Sequence, residues 1–398
     1  MSTSQMVADA AGRAGPEVLA ACALSAVPGL GASTLARIAA RFHSLEAAVE
    51  QGPRRILEAS EHLQLKPEAR QYLAQGPNLR ELGVWALSAA REAGARVLLL
   101  EDPQYPKRLR RIPNPPRILY VRGSLAPQVR RIAVVGARDV DEGGLMLAHA
   151  FGDMFARAGV EVVSGGARGI DAAAHEGALW AQGTTIAVLG CGIDVVYPSE
   201  NGRLFDRLAN GGGALVSEFA PGTQPMPRNF PRRNRTVAAL SDAVVVVRAA
   251  RRSGALITAA HAAAHQTRVF AVPGDPADPR AEGPNDLLRD GRAKLATGPA
   301  DVLMALEWPV PALPDPDDAS HSTVPASNAT GERPGTDTEI VDATGAKLWR
   351  LLDERTPAHV DDLALRAQIP AHQVLGKLAE LELKGMVVQR PGKYFLRR

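Results

Sequence analysis

Only two cysteines occur in the 398 residues, Cys22 and Cys191, and they stand far apart. That scarcity excludes a disulfide framework and a cysteine-ligated metal. Cys191, flanked by two glycines after an apolar run, reads as a small buried residue and not as a nucleophile. No apolar run is long enough to span a bilayer, and no secretory leader is apparent. The expectation is a soluble, cytoplasmic protein with no membrane partner. The dinucleotide fingerprint G-x-G-x-x-G is missing too. The first glycine turn reads Gly136-Ala137-Arg138, with Gly143 and Gly144 too late to complete it, and the second apolar run ends in Ser164-Gly165 without an acid. A Walker-type phosphate loop is absent. His261 and His265 are four apart, but no Glu follows the first, so they read as ordinary helix-face residues. No cofactor, metal or catalytic residue is expected.

What is present is a series of β-branched runs that hand over to glycine-rich turns. They are Arg131–Arg138, Val160–Asp171, Thr184–Asp194 and Arg268–Asp275, separated by alanine-rich stretches of helical length. Short buried strands alternating with helices predict an α/β fold, a mostly parallel sheet doubly wound with helices on both faces. Glycines at strand–helix junctions let a phosphate approach backbone amides at helix starts. An arginine inside such a turn adds a planar fork for phosphate oxygens. On this ground Gly136, Ala137, Arg138, Ser164, Gly165, Gly166, Arg168 and Gly169 are candidate phosphate contacts.

A second cluster, Arg228-Asn-Phe-Pro-Arg-Arg-Asn-Arg235, opens a predicted helix after the run Ala214–Phe219. Arg232, Arg233, Asn234 and Arg235 thus gather at a helix N-terminus. Cations there oppose the helix dipole, which points to a counter-anion. Phe230 either stacks on a base or joins the core. Charge is unevenly spread: Pro103 to Arg138 holds nine Lys or Arg and no acid, although the formal net charge is only +3. A basic segment leading into the first glycine turn favours a polyanion larger than one nucleotide.

Five regions are expected. Residues 1–16 lack periodicity and read as disordered. Residues 17–97 are helical, with a helix–hairpin–helix-like turn at Val27–Ile38 that Ser33 or Thr34 would cap. Residues 98–308 form the α/β body. Residues 309–338, rich in Pro, Asp, Ser and Thr, read as a disordered linker. Residues 339–398 have the order of a winged helix: helices at Ala343–Leu352, Val360–Ala367 and Gln373–Leu383, then a β-ribbon at Met386–Leu396 pivoting at Pro391-Gly392. Lys384, Arg390, Lys393, Arg397 and Arg398 make the wing basic, whereas Glu380 and Glu382 make the third helix a poor groove reader.

Over roughly residues 100–305 the chain resembles the DNA-processing protein A (DprA/Smf) family. The resemblance rests on Tyr105-Pro-Lys-Arg-Leu109, Pro115–Gly123, Val135-Gly-Ala-Arg138, Ser164–Asp171 with His175, and Tyr197-Pro198. It continues through Ser217-Glu218, Phe230–Arg235, Ser253-Gly-Ala-Leu-Ile-Thr258 and Val272-Pro-Gly274 in family order. It implies an extended Rossmann-like sheet that binds single-stranded DNA and loads the recombinase RecA onto it, as a homodimer, in natural transformation. Ser253 and Gly254 join the candidate contacts through this likeness. Departures are Gly166 where the family has Leu or Met, Ala239 for a common Gly, and Arg292 for a common Ala. Ser199 stands where a basic residue often follows the Tyr-Pro pair, with Arg203 as substitute. For a homodimer, Val302, Leu303, Leu306 and Trp308 either supply a two-fold contact or pack on the sheet. Two rival functions are a nucleotide-binding sensor and a nucleoside-monophosphate hydrolase of a related Rossmann-like family. The hydrolase's Pro-Gly-Gly-x-Gly-Thr-x-x-Glu segment is missing, and Asp171 and Glu218 are isolated acids that would fix the arginines or glycine turns.

Overall fold

The computed structural model describes residues 15–311, 343–353, 358–367, 369–384, 386–390 and 394–397. The stretches 1–16 and 309–338 expected to be disordered lie outside the described residues, except for 15–16 and 309–311. So do Pro391, Gly392, Lys393 and Arg398 of the expected wing. Among the described residues, no helix is long and apolar enough to cross a membrane.

Six helices come first, at Pro16–Ala26, Ala32–Phe42, Leu45–Glu58, Ser60–Leu63, Pro67–Ala74 and Leu79–Glu92. Between the first two, Gly29 adopts φ 81°, a left-handed conformation that a Cβ would strain. Neither Ser33 nor Thr34 caps the second helix, contrary to expectation. Gly31 is the N-cap, with no side-chain cap bond, and Thr34 accepts from Arg37 Nη2 at 3.3 Å. Arg37 also donates from Nε to the Leu63 carbonyl at 2.8 Å. The cation nearest the hairpin is thus turned inward, as in a packing unit. The hairpin helices bury Leu24, Val27, Leu30, Leu35 and Ile38 against the sheet's flank.

The α/β body is built on strands β1 (Ala95–Leu99), β2 (Ile118–Gly123), β3 (Arg131–Val135), β4 (Glu161–Ser164), β5 (Thr185–Leu189), β6 (Gly213–Ser217), β7 (Ala243–Val246), β8 (Arg268–Ala271) and β9 (Lys294–Leu295). The sheet begins at Ala95, inside the stretch expected to be helical. Its order is β1-β2-β6-β5-β4-β3-β7-β8-β9. β1 pairs antiparallel with β2 and β2 with β6, while all pairs from β6 to β9 are parallel. Central strands carry Val, Ile and Ala on both faces because helices cover both, and every residue of β3 to β7 is buried. Chain order reverses about β3, which has β4 on one side and β7 on the other. Ligands enter such sheets at the carboxyl ends beside that reversal. On one face, helices Glu142–Arg157 and Ile170–Trp180 cross closely: a side chain at Gly152 would meet the Ala174 carbonyl, and one at Gly177 the His149 carbonyl.

The helix Pro299–Ala305 decides between the two readings of its apolar side in favour of packing on the sheet. Val302 and Leu303 are fully buried in the same cluster as Ile132, Phe155 and Phe270, so they cover the sheet and cannot meet a second copy. Leu306 and Trp308 are partly buried on that cluster, and Trp308 lies under Arg130 at 5.2 Å. The exposed residue on this helix is Met304.

The described residues from Ala343 onward belong to a separate compact unit. Its described helices are Ala343–Leu351, Val360–Ala367 and Ala371–Leu383. β10 (Ala358–His359), β11 (Val387–Arg390) and β12 (Tyr394–Arg397) form a sheet of order β10-β12-β11. The two-residue β10 was not foreseen; it is too short to show periodicity. Leu348, Leu363, Leu378 and Phe395 close the core, and Arg397 sits 4.2 Å over the Trp349 ring.

At the amino ends of β3 and β4, Arg131 donates to Glu161 at 2.6 Å, with side chains only 2% and 7% exposed. Breaking such a pair strands a buried charge. Arg131→Met should therefore lower the unfolding free energy by about 3–5 kcal/mol in urea titration, and adding Glu161→Leu should restore most of it. A loss below about 1 kcal/mol for the single variant would contradict this role.

Candidate nucleic-acid interface

The turns after β3 and β4 meet at the carboxyl edge of the sheet, and several of their backbone groups are satisfied from within. The Ala137 amide donates to the Arg248 carbonyl at 2.7 Å, and the Ile170 amide donates to the Ala137 carbonyl at 3.2 Å. Ser164 Oγ donates to the Val134 carbonyl at 2.6 Å. Asp171 Oδ2 accepts from the amides of Gly165 at 3.1 Å and Ala167 at 3.3 Å. The buried acid thus takes two of the amides of the turn that the sequence offered to a phosphate. Gly166 and Gly169 have φ 65° and 74°, and Gly166 lies against the Phe205 ring. A larger side chain at 166 would collide with that ring, so Phe205 occupies the space that Leu or Met would take.

Arg233 explains why the turn after β4 keeps its shape. It is buried, and its Nη1 donates to the carbonyls of both Gly165 and Val188, joining the end of β4 to that of β5. Its Nε donates to Asn234 Oδ1 at 3.0 Å. Burial pushes the Asp171 carboxyl pKa up, while Arg233 and the Gly165 and Ala167 amides pull it back down. Burial likewise lowers Arg233, opposed by Asp171.

Arg138, Gly165, Ala167, Arg168, Tyr197, Phe230 and Arg233 line one cleft of about 260 Å³. Arg138 and Arg168 are exposed. Arg138 lies 5.2 Å over the Phe230 ring and makes no ion pair among the described residues, whereas Arg168 faces Glu200 at 3.5 Å. The half-buried Phe230 ring packs on Gly190 and under Arg138, with Tyr197 5.8 Å away and tilted. Phe230 is therefore floor and wall at once. Two exposed guanidiniums in one cleft with two aromatic rings, Arg138 lying over Phe230, suit an anion attached to a planar group.

Other candidate residues point elsewhere. Arg232 Nε donates to Glu218 at 3.1 Å, its guanidinium lies 4.9 Å over Phe219, and Nη1 faces Gly31 of the hairpin. Glu218 also accepts from Thr236 Oγ1. Arg235 donates to the carbonyls of Pro113 at 3.1 Å and Asn114 at 2.7 Å. Asn234 Nδ2 donates to the Gly254 carbonyl at 3.0 Å, and Ser253 Oγ caps the next helix through the Ala255 amide at 3.3 Å. Arg203, exposed on the short helix Gly202–Arg207, is not part of the cleft lining. The counter-anion demanded by the arginine-rich helix start is thus supplied in part by Glu218 and by main-chain carbonyls. The basic run behaves alike. Arg108, Arg117, Arg122 and Arg131 pair with Asp242, Glu101, Asp206 and Glu161, and of the nine cations Arg138 lines the cleft. Sequence reading missed Tyr197 and Gly190 as cleft residues; the Tyr-Pro pair was the available signal. Asp171 and Glu218 act as expected for fixing groups.

Toward the amino ends of β4 and β5, the fully buried His175 bonds through Nδ1 to Thr185 Oγ1 at 2.6 Å, and Thr185 donates to the Val162 carbonyl at 2.9 Å. His175 is therefore the Nδ1–H donor. Its Nε2 has no hydrogen-bond partner among the described residues. Burial, with Arg233 nearby, lowers its pKa from 6.5 to about 3.

A sequence profile described as DNA recombination-mediator protein A matches residues 96–307, and one described as the DprA winged helix domain matches residues 332–393. Protein Smf of Escherichia coli K12 is 40% identical over 291 residues, covering 73% of this chain and 74% of that protein. Protein Smf of Synechocystis is 32% identical, covering 94% and 98%. The crystal structure of DNA processing protein A from Streptococcus pneumoniae superposes with TM-score 0.60 at 30% identity, covering 73% of this chain and 98% of that one.

The His175 environment predicts a pH dependence. The unfolded state takes up a proton below about pH 6.5 that the native state refuses until about pH 3. Stability should thus fall with acidification across that window, by about 1.4 kcal/mol per pH unit from this group. Urea titrations at several pH values should show a shallower acid-side slope in His175→Gln; an identical slope would contradict the assignment.

Proposed function

Because the chain belongs to the DNA recombination-mediator protein A (DprA/Smf) family, a DNA-processing family, we propose that it holds single-stranded DNA in the Arg138 cleft. The observation that carries this reading is the meeting of two exposed guanidiniums, Arg138 and Arg168, with the rings of Phe230 and Tyr197. Phosphates pair with the cations, and bases lie on the rings. Stacking on a protein ring needs unstacked bases, which favours a single strand over a duplex. Gly136, Ala137, Ser164, Gly165, Gly166 and Gly169 shape the turns that present the arginines. Arg233 sets their position, and Asn234, Arg235, Ser253 and Gly254 brace the helix behind them.

Loading of RecA onto the bound strand, and service in natural transformation and recombination, complete the proposal and rest on the family. A homodimer would place two clefts on one strand and raise avidity; its contact lies outside Val302 and Leu303. Asp171 and Glu218 hold amides, a hydroxyl and an arginine, which favours binding over base hydrolysis. The length of a strand, compared with a mononucleotide, also separates this reading from a nucleotide sensor, because only the strand engages successive contacts.

For single strands, log affinity falls with log salt by roughly 0.7 per phosphate neutralised. Arg138→Ala should weaken binding to all sequences alike and make that slope shallower by about one phosphate's share. Fluorescence titration over a salt series measures both quantities. Unchanged affinity and slope would remove Arg138 from the site.

A further inference from the structure

Resting on that reading of the Arg138 cleft, we infer that a second cleft beside it holds one base of the same strand and selects for an exocyclic amine. This cleft, of about 280 Å³, opens between the helix Leu79–Glu92 and the helix Gly202–Arg207. Its volume is the share of roughly nine water molecules, enough for one flat ring system. Leu189, Ile193, Val195 and Phe205 form an apolar wall. Glu92, Asp194 and Asp206 supply acceptors at the same cleft, with Arg122 bound to Asp206 at 3.0 Å.

Two observations join it to the phosphate cleft. Val196, 51% exposed, lines both. Phe205, part of the second cleft's wall, is also the ring packed against Gly166 in the turn after β4. A strand leaving Arg138 and Arg168 therefore passes directly over Val196 into the second cleft.

Charge decides which part of the strand enters. Three carboxylates against one guanidinium repel a phosphate. A base has apolar faces for the wall and, in cytosine, adenine or guanine, an exocyclic amine that donates to a carboxylate oxygen. Asp194 already accepts the Gly222 amide at 2.9 Å through both oxygens, which holds it in place with acceptor capacity remaining. Thymine offers an oxygen and a methyl group in place of the amine, so the carboxylates disfavour it. The phosphate on the far side has Arg203, exposed on the helix that carries Phe205 and Asp206.

The test uses the full chain with oligodeoxycytidine and oligodeoxythymidine of equal length, and with an abasic site scanned through the cytidine strand. Cytidine strands should bind about tenfold tighter than thymidine strands, and one abasic position should cost about as much. Ala89→Trp, which fills the cleft from the helix Leu79–Glu92, should abolish both effects, while Arg138→Ala weakens both strands equally. Should Ala89→Trp fail to fold, Glu92→Gln at the helix end should narrow the preference by about threefold. Equal binding of the two strands by the wild type, or a folded Ala89→Trp that keeps the preference, overturns the base cleft. The phosphate reading survives that outcome if Arg138→Ala still weakens binding, and falls separately if it does not.

Discussion

The peptide at Gly165 is held on both sides by opposite buried charges, and the cleft depends on it. Asp171 accepts its amide, and Arg233 donates to its carbonyl. Arg233 also reaches Val188, so a single guanidinium fixes the spacing between the ends of β4 and β5. A buried charge without such partners would cost several kcal/mol; here the main chain between the two groups supplies the partners for both. The turn that presents Arg168 is thereby held at the Gly165 and Ala167 amides and the Gly165 carbonyl, which leaves the exposed arginines to solvent, to Glu200 and to ligand. The fixed charges shape the site, while Arg138 and Arg168 remain accessible.

Much of this was legible in the sequence. Val-, Ile- and Ala-rich runs ending in glycine mark β3, β4, β5 and β8, because strands buried on both faces leave no room for alternation. The arginines of the glycine turns, Arg138 and Arg168, reach the cleft as their position at the sheet's carboxyl edge requires. The fate of the second arginine cluster was not legible. Successive residues of a helix point about 100° apart, so Arg232, Arg233 and Arg235 diverge toward Glu218, the Gly165 carbonyl and the Pro113–Asn114 loop. Spacing alone shows that cations gather at a helix start but not which acceptor each one meets.

Long-range packing accounts for the other differences. The basic run before Arg138 looked like a surface for a polyanion, but partners as remote as Asp206 and Asp242 take up several of its cations. Val302 and Leu303 sit on a short helix whose apolar side was ambiguous between sheet cover and subunit contact, and the sheet takes it. The cleft between the helices Leu79–Glu92 and Gly202–Arg207 joins segments more than a hundred residues apart, and no local pattern announces it.

On the proposed reading, exposed guanidiniums and aromatic rings in one cleft select an unstacked strand. Affinity for single-stranded and duplex DNA of one sequence, measured across a salt series, tests it most directly. Tighter binding of the single strand is expected at every salt concentration, with log affinity falling with log salt by roughly 0.7 per phosphate contacted. Duplex binding equal to or tighter than single-strand binding, or a single-strand affinity indifferent to salt, would contradict it.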